Sequence, residues 1–481
     1  MSTTSPRPGL LVGVLAAAGV TASMTQTMIT PLIPSLPSIF DTSAANTAWI
    51  VTATLLAAAV AIPIAGRLGD MVGKRKMVLL STIPLILGGF LCALAPSVEM
   101  MIAGRALQGL GMGLVPLGIA LLKDTIPREK LSSAIAMVSA TMGIGGAIGL
   151  PISAAVIEFA DFRTLFWACS FLAALTALAI WAVVPVSDAA AQGQRFDVLG
   201  ALLLSTGLVA LMLAISKGAD WGWGSSLTLA LFAVAAVALV AWGAWELRVQ
   251  DPLVDLRTTV RPQVLVTNIA SIFIGFGMYA SQLVLPQILQ LPTETGYGLG
   301  QSILAAGMWM APAGLMMVLL SPLGGRLTDV RGPKFTLALG ASILAAGYLF
   351  ALVGIGSTWG VLITGLVINS GVAFAYGAMP TIIMRAVPRS ETAAANSFNT
   401  LMRSLGTTTG AAVIGLVLAQ MTTDADGVPI PTQAGFSTTL IIGAGVAVIA
   451  AVIALLIPME KVSAKESQEG TPMVKKKATA H

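Results

Sequence analysis

The sequence predicts an all-α integral membrane protein of about fourteen transmembrane helices. They form two pseudo-symmetric six-helix bundles with two further helices inserted between them, and both termini are cytoplasmic. Three observations predict this. Of 481 residues, 56% are hydrophobic and only 10% charged, whereas a soluble domain carries about 25% charged residues. Apolar runs of about 20 residues, enough to cross a hydrocarbon core of roughly 30 Å, follow one another almost without pause. Short charged motifs from the first part of the chain also recur in the last part at a nearly constant spacing.

Backbone in lipid must satisfy its own hydrogen bonds, so each apolar run is read as a helix. In chain order, the first six runs lie near 10–33, 47–66, 77–95, 99–121, 132–157 and 164–184 and make up an N-terminal bundle, 1–187. The first run is too long, and too rich in Thr and Pro at its outer end, for a cleaved signal peptide. A pair near 198–216 and 226–246 occupies an insert with its linkers, 188–261. Six more runs near 264–290, 301–322, 335–354, 358–382, 392–420 and 436–457 make up a C-terminal bundle, 262–458. Residues 459–481, rich in Lys, Ser and Glu, are expected to form a disordered cytoplasmic tail, with Lys475, Lys476 and Lys477 touching anionic lipid headgroups.

Orientation follows from Lys and Arg, which cytoplasmic segments retain in excess. With the N-terminus inside, all 26 fall on the cytoplasmic side except Arg163 and Lys217, outside, and Arg105 and Arg403, within spans. The net charge of +5 therefore reflects basic residues beside spans and calls for a bilayer with anionic headgroups, not nucleic acid. The only histidine is His481, which leaves no imidazole relay or His-ligated metal, and Cys92 and Cys169 show no ligand pattern. No phosphate-binding GxxxxGK[ST] loop occurs, so no cofactor is expected, and a monomer is.

The internal repeat carries the most specific signal. Gly66-Arg67-Leu68, Asp70 and Gly73 recur as Gly325-Arg326-Leu327, Asp329 and Gly332, all at an offset of 259 residues. Pro127-Arg128, Gly145 and Gly149 recur as Pro388-Arg389, Gly406 and Gly410 at an offset of 261. A duplicated six-span unit with a cavity at the repeat interface is what alternating access by rocking requires. In GRLGDMVGKRK, Gly66 to Lys76, the glycines permit a tight turn and Asp70 can face a helix N-terminus or an arginine. Lys74, Arg75 and Lys76 can meet anionic headgroups.

On these residues the chain resembles the major facilitator superfamily, and specifically its fourteen-helix drug/proton antiporter branch. That family carries Gly-x-Leu-x-Asp-x-x-Gly-Arg/Lys-Arg/Lys between spans 2 and 3, matched by Gly66, Leu68, Asp70, Gly73, Lys74 and Arg75. The resemblance runs over roughly 10–457. It implies a non-enzymatic transporter in a bacterial plasma membrane, with this loop and its copy at Arg326, Asp329 and Gly332 acting as a cytoplasmic latch. In span 4, Arg105, Gln108, Gly109 and Gly111 are similar to the family's Arg-x-x-Gln-Gly-x-Gly element. An arginine there either serves the cavity and proton relay or snorkels to the outer interface. In span 5, Gly145, Gly149 and Pro151 resemble an exporter signature, although the position before Pro151 is Leu150. Small residues four apart also serve plain helix packing.

Span 1 departs from that branch. Where an acid is usual, it offers Ser23, Gln26, Thr27 and Thr30, and every one of the 21 acids can be placed in a loop or at a span end. A buried carboxylate is the natural carrier of a transported proton, so proton coupling is expected to be weak. The other polar candidates for a cavity are Asn268, Tyr279 and Gln282 in span 9, Asn369 and Tyr376 in span 12, and Asn396, Asn399 and Arg403 in span 13. Arg403 is open between a cavity role and packing on the cytoplasmic side. The expected function is gradient-coupled export of small amphipathic or drug-like molecules, with protons as one candidate ion. The alternatives are a solute importer, or a lipid scramblase or non-transporting receptor on the same fold.

Overall fold

The structure is a computed structural model that describes residues 8–33, 35–186, 193–425 and 428–458; the tail expected at 459–481 lies outside the described residues. Among these, thirteen helical segments are long and apolar enough to cross a membrane. One more long helix, Arg128–Phe159, packs among them. Numbered in order, α1 is Pro8–Thr27, α2 Ala44–Val72, α3 Lys74–Ala93, α4 Val98–Thr125, α5 Arg128–Phe159, α6 Arg163–Val183 and α7 Val198–Trp221. Then follow α8 Ser226–Glu246, α9 Pro262–Gln290, α10 Ile303–Arg331, α11 Pro333–Gly354, α12 Thr358–Ala386, α13 Thr392–Gln420 and α14 Gln433–Leu456.

Start signals differ between the two ends of the bundle. At the end away from the Lys/Arg-rich loops, here the far end, Ser43, Ser97, Ser225, Ser302, Ser357 and Thr432 cap α2, α4, α8, α10, α12 and α14 by accepting a backbone N–H. At the other, basic end, α2 turns directly into α3 at Gly73 (φ 105°) and α10 into α11 at Gly332 (φ 87°), a region open to glycine. There α13 starts with no side-chain cap of its own, because Glu391 does not supply one. α4 is broken by a 3-10 turn at Gly111–Gly113.

The two groups of six pair their helices alike. α1 packs on α5 as α9 does on α13, α2 on α4 as α10 on α12, and α3 on α4 and α6 as α11 on α12 and α14. Outward faces are apolar: Phe171, Leu175, Leu178 and Trp181 of α6 are 59–64% exposed, a stripe that suits lipid and not water. The inserted α7 and α8 pack on each other and against α2 and α13, with the Trp242 ring stacked on Phe398 at 6.3 Å. A short hairpin not foreseen from sequence, Thr422–Ala425 and Val428–Pro431, links α13 to α14.

Candidate functional site: the interface between the two halves

Asp70 stands in the last turn of α2 with no exposed surface. Its Oδ1 accepts the N–H of Ala393 (3.2 Å) and its Oδ2 the N–H groups of Ala393 (3.0 Å) and Ala394 (2.9 Å). The cap that α13 lacks in its own sequence therefore comes from the opposite half, where an anion meets the positive end of a 29-residue helix. Lys74 lies 3.8 Å from Asp70 and 2.5 Å from Asp124, tying the motif to the end of α4. Gly66 and Gly69 let the helices meet: a Cβ on Gly66 would stand 2.7 Å from the Ala393 carbonyl oxygen, and one on Gly69 2.4 Å from the Leu117 side chain. Arg67 is buried beside this contact and within electrostatic reach of Asp70 and Glu391. Arg75 donates to the Trp181 carbonyl at the end of α6 (2.6 Å).

Two further side chains close the same end. Lys123 Nζ donates to the carbonyls of Met384 (2.6 Å) and Val387 (3.4 Å) and to Thr392 Oγ1 (3.3 Å), serving the end of α12 where carbonyls are left over. Asn396 Nδ2 donates to the Pro116 carbonyl (2.8 Å), joining α13 to α4. Lys123 reads from sequence only as one more loop charge; its contact with the other half depends on α12 ending opposite it, which sequence does not disclose.

The second copy of the motif is placed differently. Gly332 makes the same turn, but Arg326 and Asp329 are exposed, and neither makes an ion pair among the described residues. A Cβ on Gly325 would stand 2.5 Å from the Ser133 Cα, so α10 does approach α5 closely. That approach continues along both helices, with Gly143 against Met317 and Gly307 against Pro151.

Gly145 and Gly149 seat α1. Cβ atoms there would meet Ser23 Oγ at 2.4 Å and Thr27 Oγ1 at 2.3 Å, while Ser23 and Thr27 donate to the Met142 (2.7 Å) and Gly145 (2.9 Å) carbonyls. Their place is in packing within the N-terminal half, whereas Pro151 faces α10. Gln26 is half-buried near the end of α1, and Thr30 lies beyond it in a 3-10 turn, exposed.

Arg105, 1% exposed, lies inside the N-terminal half and is not a snorkeller at its rim. Its Nη1 donates to the Thr25 carbonyl and to Gln108 Oε1, both at 2.7 Å. Asn369 donates along its own helix to the Gly365 carbonyl (2.9 Å). On α9, Asn268, Ser271, Gly275, Met278 and Gln282 share one face by their spacing. The first three are buried, Met278 is half-buried and Gln282 is exposed, while Leu285 and Leu289 further along are fully buried. Tyr279 is half-buried beside it. Asn399 Nδ2 donates to Asn268 Oδ1 (2.9 Å) and to Ser271 Oγ (2.7 Å). One turn further along α13, Arg403 lies with its guanidinium carbon 4.3 Å from the centre of the Tyr376 ring, and its Nη2 donates to Met142 Sδ of α5 at 3.2 Å. Arg403 thus sits buried where the two halves meet.

Every Asp and Glu of α1–α14 lies in a first or last turn of its helix. Among the described residues, no cluster of His, Cys, Asp and Glu converges as metal ligands would.

A sequence profile described as Major Facilitator Superfamily matches residues 15–411 and 267–480. The chain is 30% identical over 339 residues to the Multidrug resistance protein B homolog of Mycobacterium tuberculosis, covering 70% of this chain and 61% of that protein, so it spans about three-fifths of that relative's length. It is 29% identical over 391 residues to the Multidrug resistance protein Stp of the same species, covering 80% and 71%. Among solved structures, the human organic anion transporter MFSD10 (TETRAN) superposes with a TM-score of 0.67 at 15% identity, over 93% of this chain and all of that one, a likeness of fold alone.

Proposed function

Since the chain belongs to the major facilitator superfamily, and is therefore a multi-pass membrane transporter and not an enzyme, we propose that it exports small amphipathic or drug-like molecules across a bacterial plasma membrane by alternating access. The observation that carries this reading is the trans-acting cap: Asp70 of one half completes the N-terminus of α13 in the other. A bond of that kind exists only while the halves are docked at the basic end, and it must break for that end to open. It is therefore a gate contact and not a fold contact. The excess of Lys and Arg argues for a cytoplasmic basic end, so that this state is closed on the inside.

Export is favoured over uptake by the multidrug-resistance relatives. The driving force is an ion gradient, because the chain has no nucleotide-binding loop. Proton dependence is expected to be shallow, because every carboxylate of α1–α14 lies in a first or last turn of its helix and none stands midway along one. The test is steady-state accumulation of a fluorescent amphiphile in cells with and without the protein, before and after the ion gradients are collapsed. Expression should lower accumulation, and collapse should restore it. Higher accumulation on expression would make the chain an importer.

A further inference from the structure

The two arginines inside the helices differ in what they hold. Arg105 ends on oxygen acceptors of its own half, the Thr25 carbonyl and Gln108. Arg403, 3% exposed and about halfway along α13, ends on a sulfur from the other half. The ion pairs among the described residues are Lys74–Asp70, Lys74–Asp124, Arg163–Asp161 and Lys217–Asp220, none of them at Arg403. A guanidinium is always charged, and a buried charge is normally paired. A thioether is a weak acceptor that leaves most of that demand unmet.

The same pattern surrounds it. The Tyr376 hydroxyl donates to Met278 Sδ (3.0 Å), so two polar donors at this depth end on methionine sulfur, and Met379 Sδ lies 2.9 Å from Ser271 Oγ, whose hydroxyl is served by the Thr267 carbonyl (2.8 Å). Methionine is flexible and polarizable and lines surfaces that accept varied apolar shapes. Met278, itself half-buried, shares its face of α9 with the exposed Gln282 one turn away.

We propose that Arg403, Tyr376 and Met142, Met278 and Met379 around them form the binding site for an anionic amphiphile, a carboxylate or sulfonate on an apolar body. The anion replaces Met142 Sδ as the acceptor of Arg403, and the displaced thioethers line the apolar body. Because Met142 belongs to the N-terminal half and Arg403 to the C-terminal half, occupation also breaks a contact between the halves. The inference names a substrate class for the transporter proposed above and rests on that reading.

The test is equilibrium binding to the full-length chain in lipid nanodiscs, with empty nanodiscs as blank and no gradient applied. Three fluorescent probes share one body: 6-(dansylamino)hexanoate, its neutral amide and its quaternary ammonium analogue. Charge-assisted hydrogen bonding predicts that the carboxylate binds about tenfold more tightly than the amide. The ratio should fall toward one in Arg403→Gln and survive in part in Arg403→Lys. Tighter binding of the amide or the ammonium probe by the unmodified chain, or a ratio unmoved by Arg403→Gln, would overturn the proposal. If Arg403→Gln does not fold, the ranking of the three probes and the Arg403→Lys ratio decide. Loss of the transport reading would appear as absent flux of these probes in sealed vesicles with the anion preference in nanodiscs intact. Flux of all three probes with no anion preference would remove this inference and leave transport standing.

Discussion

Replacing Asp70 by Asn removes a charge from the gate with almost no change of shape. Both carboxylate oxygens accept N–H groups of α13 at 2.9–3.2 Å, in full burial. Asparagine keeps one acceptor, turns an NH2 toward a backbone N–H, and takes the anion away from the positive end of the helix. Hydrogen bonds to a charged group contribute about 1.5–3 kcal/mol, and an anion at a partly buried helix N-terminus up to about 2 kcal/mol. The two figures describe overlapping electrostatics, so the closed basic end should lose about 2–3 kcal/mol, which shifts the closed–open equilibrium by about 30- to 150-fold. Ser397, buried against Gly66, is a reporter of opening. With Ser397→Cys as the only cysteine, Asp70→Asn should raise its maleimide labelling rate at least about tenfold and cripple flux, at unchanged membrane protein level. Unchanged labelling together with normal flux would show that the cap does not hold the gate.

Asp329→Asn, at an exposed position, should change flux by less than about twofold, as surface substitutions usually do; sensitivity equal to that of Asp70→Asn would show that the two copies of the motif are equivalent in the cycle. Lys123→Ala frees the carbonyls at the end of α12 and should weaken closure by about 1–2 kcal/mol, and a double-mutant cycle with Asp70→Asn should show coupling because both act at one interface. Gly145→Ala drives a Cβ to within 2.4 Å of Ser23 Oγ and 2.7 Å of the Met24 nitrogen. It should cost about 1–3 kcal/mol, seen as a lower melting temperature in detergent, whereas Gly415→Ala, with open space around it, should not. Gln26→Asp, half-buried on α1, should steepen the dependence of flux on an imposed pH gradient at fixed membrane potential. Steep dependence already present in the unmodified chain would mean that a span-end acid such as Glu246 carries the proton.

Much of this architecture was legible because lipid imposes a simple code. Hydropathy alone marked the helices, and the run expected at 392–420 matches α13 to the residue. Where charged residues occur the code blurs: α2 was expected at 47–66 but runs on through Arg67 and Asp70 to Val72, since a helix leaving the apolar layer continues as long as its backbone bonds are made. The break at Gly111–Gly113 left no hydropathy signal at all.

The gate was legible in part. Asp70 was expected to face a helix N-terminus or an arginine, and a spacing of 259 residues flagged its copy. Which helix receives it is a long-range fact, 323 residues away at Ala393, that no local pattern carries. Repetition flagged a second copy at the same end, yet Asp70 is buried against α13 and Asp329 is exposed, a difference of tertiary placement that the repeat itself does not carry. Sequence could not separate Arg105 from Arg403 by type, and only their acceptors do so: oxygen within one half, sulfur across two. The methionines at Arg403 were invisible, since Met in an apolar run reads as lipid-compatible filler.

The most direct measurement of the central claim is uptake of a fluorescent amphiphile into inside-out membrane vesicles containing the unmodified protein or Asp70→Asn, with and without an imposed ion gradient. The account predicts gradient-dependent accumulation inside the vesicles for the unmodified protein and its near loss for Asp70→Asn at equal protein level. Accumulation by right-side-out vesicles only, or equal uptake by both proteins, would contradict it.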